Sequence, residues 1–194
     1  MNIFCTSKCP TQSAKWLCNK HIVKQGVESL QLLANCFTKE QLSHPLCPRN
    51  QKGEIRGHFN PKHPSCLFTT ATRANMRWVI AHAQEIFNEH YRRYPLKRHF
   101  SHDFLDWVIA NQGQSIVSEG ELTDFTVAIS QDKWCRQIKG FDNLPVIDKY
   151  KLYIVCDKPF AKWPIGETPP WIQTLSPLYH QLLKSHEETL IQAW

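Results

Sequence analysis

None of the eight cysteines pairs with another at CxxC spacing, and no run approaches the eighteen or so consecutive apolar residues of a membrane span. Neither a GxGxxG nor a GxxxxGKS/T phosphate loop occurs. The first absence removes zinc ribbons and CxxC redox centres. Cys5, Cys9, Cys18, Cys36, Cys47, Cys66, Cys135 and Cys156 stand singly, so free thiols are expected. The second argues against a spanning helix. The opening MNIFCTSKCP has no charged start, apolar core or small-residue cleavage site, so a cytoplasmic address is expected. The third leaves no cofactor implied. The PCxxC element of zinc deaminases is also missing, and no metal is expected.

What is present is an ordinary globular composition. Of 194 residues, 42% are hydrophobic and 21% charged, enough for one domain over 1–194 with its own core. The net charge is +6, with ten histidines besides, which favours a polyanion as partner, DNA first, and no membrane is expected. A monomer without an obligate protein partner is expected.

Apolar spacing predicts an all-α, mainly helical bundle with a long basic loop and little or no sheet. A first helix is expected over 14–37, with Ser13 as its cap and little disturbed by Gly26. Six Pro or Gly residues make 38–64 a long loop carrying Arg49, Lys52, Arg56, His58, Lys62 and His63. A second, long helix is expected over 65–94, a third over 102–111, another near 147–155, and a last over 177–193. Residues 122–129 fit strand or helix equally. Trp78 and Trp107 fall on apolar helix faces. Trp16, Trp134 and Trp163 lie in polar segments suited to stacking on bases.

On the first helix, His21, Lys24, Gln25, Glu28 and Gln31 share one polar sector opposite Ile22, Val23, Val27, Leu30, Leu33 and Phe37. His21 and Glu28 stand two turns apart with Lys24 between them. A pattern of this kind fits a solvated face with a weak i,i+4 ion pair, and equally three unlike titratable groups converging on a substrate.

The stretch CNKHIVKQGVES resembles the first-helix motif of the phage endonuclease V type pyrimidine-dimer DNA glycosylases, in which a His precedes the catalytic Glu by seven residues. His21 and Glu28 match those positions. A second block, KHPSCLFTTATRANMRWVIAHAQEIFNEHYRRY, is similar to the next long helix of bacterial members, with His63, Pro64, Trp78, His82, Glu89 and Arg93 in order. A weaker echo joins Ala128–Gln131 to Tyr150-Lys151-Leu152-Tyr153, like the aromatic-lysine segment near that family's C-terminus. The chain also resembles phage and bacterial proteins that open with MNIF and carry a KH…E…QLL helix.

The resemblance implies cleavage of an N-glycosidic bond in DNA. Such a reaction builds positive charge on the deoxyribose and negative charge on the departing base. It assigns Glu28 to the sugar, stabilising its cationic character or orienting water, and His21 and Lys24 to the phosphate or leaving base. Lys8, Lys15, Lys20, Gln31, Arg56, His58, Lys62, His63, Arg73, Arg77 and Arg93 are the expected DNA contacts, and the target base must leave the stack. The family attacks the sugar with the amine of its mature first residue. Here residue 2 is Asn2, before which the initiator Met is expected to stay, so a monofunctional, water-using enzyme is predicted. The family's Arg before the Glu is Val27 here, and its other nearby Arg is Gln31. Together with the long loop, this points away from the cyclobutane dimer towards a damaged or hypermodified pyrimidine, in repair or anti-phage defence.

Three other readings are open to the same residues. Cys47, His58, His63 and Cys66 offer zinc donors at spacings of no common site. Cys5 or Cys18 near His21 offers a thiol nucleophile. A non-enzymatic nucleic-acid or nucleotide-binding protein accounts equally well for the charge and the aromatics.

Overall fold

The computed structural model describes residues 2–96, 98–178 and 180–181 and is mainly helical, with no strand among the described residues. Seven α-helices follow one another: α1 (Pro10–Lys15), α2 (Asn19–Ala34), α3 (Lys39–Ser43), α4 (Pro64–Ala71), α5 (Arg73–Arg93), α6 (His102–Asn111) and α7 (Val146–Asp157). A further helical stretch runs over 170–178. Nearly all of the helix expected over 177–193 lies outside the described residues.

Helix α5 is the spine, against which α1, α2, α4 and α6 pack. Its buried Met76, Val79, Ala83, Ile86 and Phe87 share one continuous core with Leu17, between the first two helices, and with Ile22, Leu30 and Leu33 of α2. Burying each large side chain contributes about 1.5–3 kcal/mol, which is what holds short helices that would not persist alone. At Gly26, α2 meets the Phe87 ring of α5 closely. A Cβ there would lie 2.9 Å from the Phe87 ring and 3.3 Å from His99 Nε2, so this glycine is a packing requirement of the helix pair.

Two expected helices are in fact broken. The 14–37 helix becomes α1 and α2, because the chain is extended at Cys18 and the carbonyls ending α1 are claimed from far away. Arg93 Nη1 donates to Leu17 O at 2.8 Å and Nη2 to Lys15 O at 3.1 Å. A cation at that end also complements the helix dipole. Ser13 does not cap. It is buried inside α1, where its hydroxyl donates to Phe4 O and accepts from Thr6 N.

The 65–94 helix is interrupted at Thr72, which is extended and caps α5 by accepting from Asn75 N at 3.1 Å. The loop 38–64 contains α3, started by a Thr38–Gln41 capping box. Residues 122–129 form neither helix nor strand. They run as a strap along α4 and α5, with Thr123 bonded to Asn75, Thr126 to Pro64 O, and Phe125 packed on Phe68 and Trp78.

Candidate active site

The polar sector of α2 is not a solvated face. Gln25 is fully buried, His21 is 4% exposed and Glu28 8% exposed, whereas Lys24 reaches solvent. Burying a carboxylate is costly unless charge and hydrogen bonds compensate it. Here Gln25 Nε2 donates to Glu28 Oε2, and Lys24 Nζ lies 3.2 Å from Oε1. The other end of the Gln25 amide, Oε1, is buried without a hydrogen-bond partner.

His63, which begins α4 and accepts from Ser65 N at 3.1 Å, lies within the field of Glu28. Burial lowers its pKa, and the carboxylate acts in the opposite sense.

His21 is set differently from what the sequence suggests. Its ring lies 4.5 Å from the Phe4 ring and 5.6 Å edge-on from Phe160, and burial, then the charges of Lys158 and Lys24, pull its pKa down to about 3. It sits among aromatic rings, and Lys24 is the exposed cation of the same sector.

A concavity of about 330 Å³ opens on the neighbouring flank of α2. Val27 and Gln31 form its floor, and Ile55, Arg56, Phe59 and Phe100 its sides. The loop is fastened there: Asn35 Nδ2 donates to Phe59 O, His58 Nε2 lies 2.7 Å from Phe37 O, and the Arg56 guanidinium covers the Phe104 ring while Nε donates to Pro48 O. Phe59 and Phe100 keep about half of their surface exposed.

Of the expected DNA contacts, Lys8, Lys20, His58, Lys62 and Arg77 are exposed. Gln31 and Arg56 line the concavity, and Lys15 pairs with Glu85 at 3.6 Å. Two expectations are corrected. Arg93 has a side chain only 3% exposed, and its guanidinium is engaged with Glu89, Asn19 and the end of α1. Arg73 donates to the carbonyls of Gln112, Gly113, Ser115 and Val117 and pairs with Glu119, which makes it a strut for that loop.

The tryptophans also sort by contact. Trp16 packs edge-on against Trp171 and accepts a 2.9 Å bond from Trp163 Nε1 at its carbonyl, so these two close a corner of the fold; Trp134 remains partly exposed.

The rival chemistries have little geometry behind them. Burial pushes the Cys5 thiol up to about 12 and raises Cys18, which suppresses the thiolate a nucleophile needs. Among the described residues, no three His, Cys, Asp or Glu side chains assemble as a metal site. No helix of the described residues is long and apolar enough to cross a membrane.

Two residues at this site escaped the sequence reading. Lys158 and Phe160 follow α7 and stand beside His21 and Lys20. The basic-aromatic string KPFAKW was the signal available.

Comparison with known proteins gives one match. The model of a family described as pyrimidine dimer DNA glycosylase covers residues 1–102, just over half the chain, and contains α1 to α5, Glu28 and His63. No curated protein and no solved structure matches.

Proposed function

Because the chain belongs to the pyrimidine dimer DNA glycosylase family, we propose that it hydrolyses the N-glycosidic bond of a damaged or modified pyrimidine in DNA and leaves an abasic site, with Glu28 as the catalytic carboxylate. The observation that carries this reading is the setting of Glu28: a carboxylate 8% exposed, held by Lys24 and Gln25 on a helix whose neighbouring flank lines a concavity. A solvated helix face gives no reason for that burial.

As the bond to the base lengthens, positive charge grows on the sugar at C1′, and a carboxylate in a partly water-excluded site stabilises it far better than one in bulk solvent. Glu28 also orients the attacking water and accepts its proton as the C1′–O bond forms. The electron pair of the broken bond leaves with the base, and Lys24, at the solvent edge, offsets that charge. Gln25 fixes the carboxylate through its amide hydrogen, so little reorganisation is needed at the moment of reaction.

The concavity floored by Val27 and Gln31 receives the everted base. Its volume lies at the lower end of small-molecule sites, with room for a pyrimidine carrying a substituent. Phe59 and Phe100 offer faces for stacking, and Gln31 and Arg56 offer donors for the base edge. This mixture favours a single modified pyrimidine over two fused ones, in keeping with Val27 and Gln31 replacing the arginines expected there. Removal of such bases from phage DNA would serve defence.

The test is a panel of duplexes carrying different modified pyrimidines, the cyclobutane dimer among them, incubated with the protein and then heated in alkali. At least one duplex is expected to break at the modified position after alkali. Breakage at none, with binding intact, would leave a DNA-binding protein without glycosylase activity. Borohydride in parallel reports the nucleophile: a trapped protein–DNA adduct would show attack by an amine in place of water.

A further inference from the structure

The C-terminal half lies beyond the family match, yet one of its segments reaches the start of the catalytic helix. Asn19 N, at the start of α2, donates to Lys162 O at 2.8 Å, and Trp163 Nε1 donates to Trp16 O at 2.9 Å. These two bonds seat residues 158–163 against the corner between α1 and α2. The turn closed by Ala161 N donating to Lys158 O then projects Lys158 and Phe160 towards α2.

Cationic side chains gather there around one ring. Lys20 Nζ lies 4.8 Å from the centre of the Phe160 ring, and Lys158 Nζ lies 6.0 Å from it and 4.4 Å from that of Tyr153. Lys24 stands one turn along α2, and its charge and that of Lys158 both reach the His21 imidazole. Among the described residues, neither Lys20 nor Lys158 has a carboxylate within ion-pair distance. Like charges are thus held together by aromatic faces and backbone anchors, at a cost that a bound anion would remove. The gathering lies about 11 Å from Glu28 along the helix axis, two turns away.

We propose that Lys20 and Lys158, with Phe160 between them, form a phosphate clamp that grips the DNA strand beside the everted nucleotide, so that a segment outside the family's matched region completes the substrate site. The inference rests on the glycosylase reading for its ligand. A phosphodiester fits better than a carboxylate metabolite, because the two exposed cations of α2, Lys20 and Lys24, stand one turn apart beside Lys158 and line no common pocket with it. The clamp positions substrate and takes no part in bond breaking.

The experiment measures binding of the full-length protein to a duplex with a stable abasic-site analogue, as a function of salt. Each neutralised phosphate contributes about 0.9 to the slope of log K against log salt. Lys20→Ala and Lys158→Ala are each expected to lower the slope by about that amount, and the double variant by about twice as much. Lys158→Arg should restore it. Lys149→Ala, an equal loss of charge at a lysine bonded to Asp142 O, is expected to change the slope much less. Slopes for Lys20→Ala and Lys158→Ala no different from that of Lys149→Ala would overturn the clamp while leaving the glycosylase reading intact. A wild-type protein that ignores the duplex at low salt would overturn both.

Discussion

Glu28→Gln is expected to bind damaged DNA as well as the wild type or better, and to excise about 10³-fold more slowly. The amide keeps the size and one hydrogen-bonding oxygen of the carboxylate, so the contact with Gln25 survives. It loses the negative charge that faces the sugar cation and the capacity to accept a proton, effects worth about 10²- to 10⁴-fold in other enzymes. Removing a buried charge also relieves its desolvation, and the melting temperature should hold or rise. Single-turnover release of free base, measured beside an equilibrium binding curve, separates the two quantities. Equal slowing in both would mean that Glu28 contributes only to holding DNA.

Arg93→Ala is expected to have the largest effect on stability, about 3 kcal/mol. Arg93 and Glu89 are both nearly buried and make a 3.0 Å ion pair, and the same guanidinium ends α1 and holds Asn19 at the start of α2. Truncation leaves the Glu89 carboxylate facing Arg92 alone and strips the Lys15 and Leu17 carbonyls of their donor. Breaking a buried pair typically costs 3–5 kcal/mol, and the surviving Arg92 contact places this case at the lower end. In a chain of this size that corresponds to about 10 °C in melting temperature. Arg93→Lys should recover little, since one ammonium cannot serve carboxylate, amide and carbonyls at once. A thermal melt of each variant is sufficient, and a loss under about 1 kcal/mol would show that the corner is held by apolar packing instead.

These two residues mark what could and could not be read from the order of amino acids. Glu28, Lys24 and His21 are neighbours on one helix, so their alignment follows from a period of 3.6 residues. Helices α6 and α7 were legible for the same local reason. The breaks at Trp16–Cys18 and at Thr72 were not, since apolar spacing runs through both. The first break is secured by Arg93, some 76 positions away, and the second by Thr72 bonding to Glu121 O. Local signals existed at Thr72, a cap three residues before Asn75, and in the Thr38–Gln41 capping box, but periodicity outweighed them.

Charge was the least legible property. Arg73 and Arg93 look in sequence like any exposed basic residue, yet their guanidinium groups are consumed by backbone carbonyls. Lys158 follows α7 in the chain yet stands beside α2. Whether a cation faces solvent, a ligand or the core is decided by long-range packing, and local pattern carries none of that.

On the glycosylase reading, the Glu28 side chain faces the sugar of an everted nucleotide. A crystal structure of Glu28→Gln bound to the duplex that the wild type cleaves would display this arrangement. The target nucleotide is expected out of the stack, its C1′ within about 3.5 Å of the residue-28 side chain or of a water held by it, and its base against Phe59 and Phe100. A target base still stacked in the duplex, or lodged away from α2, would contradict it.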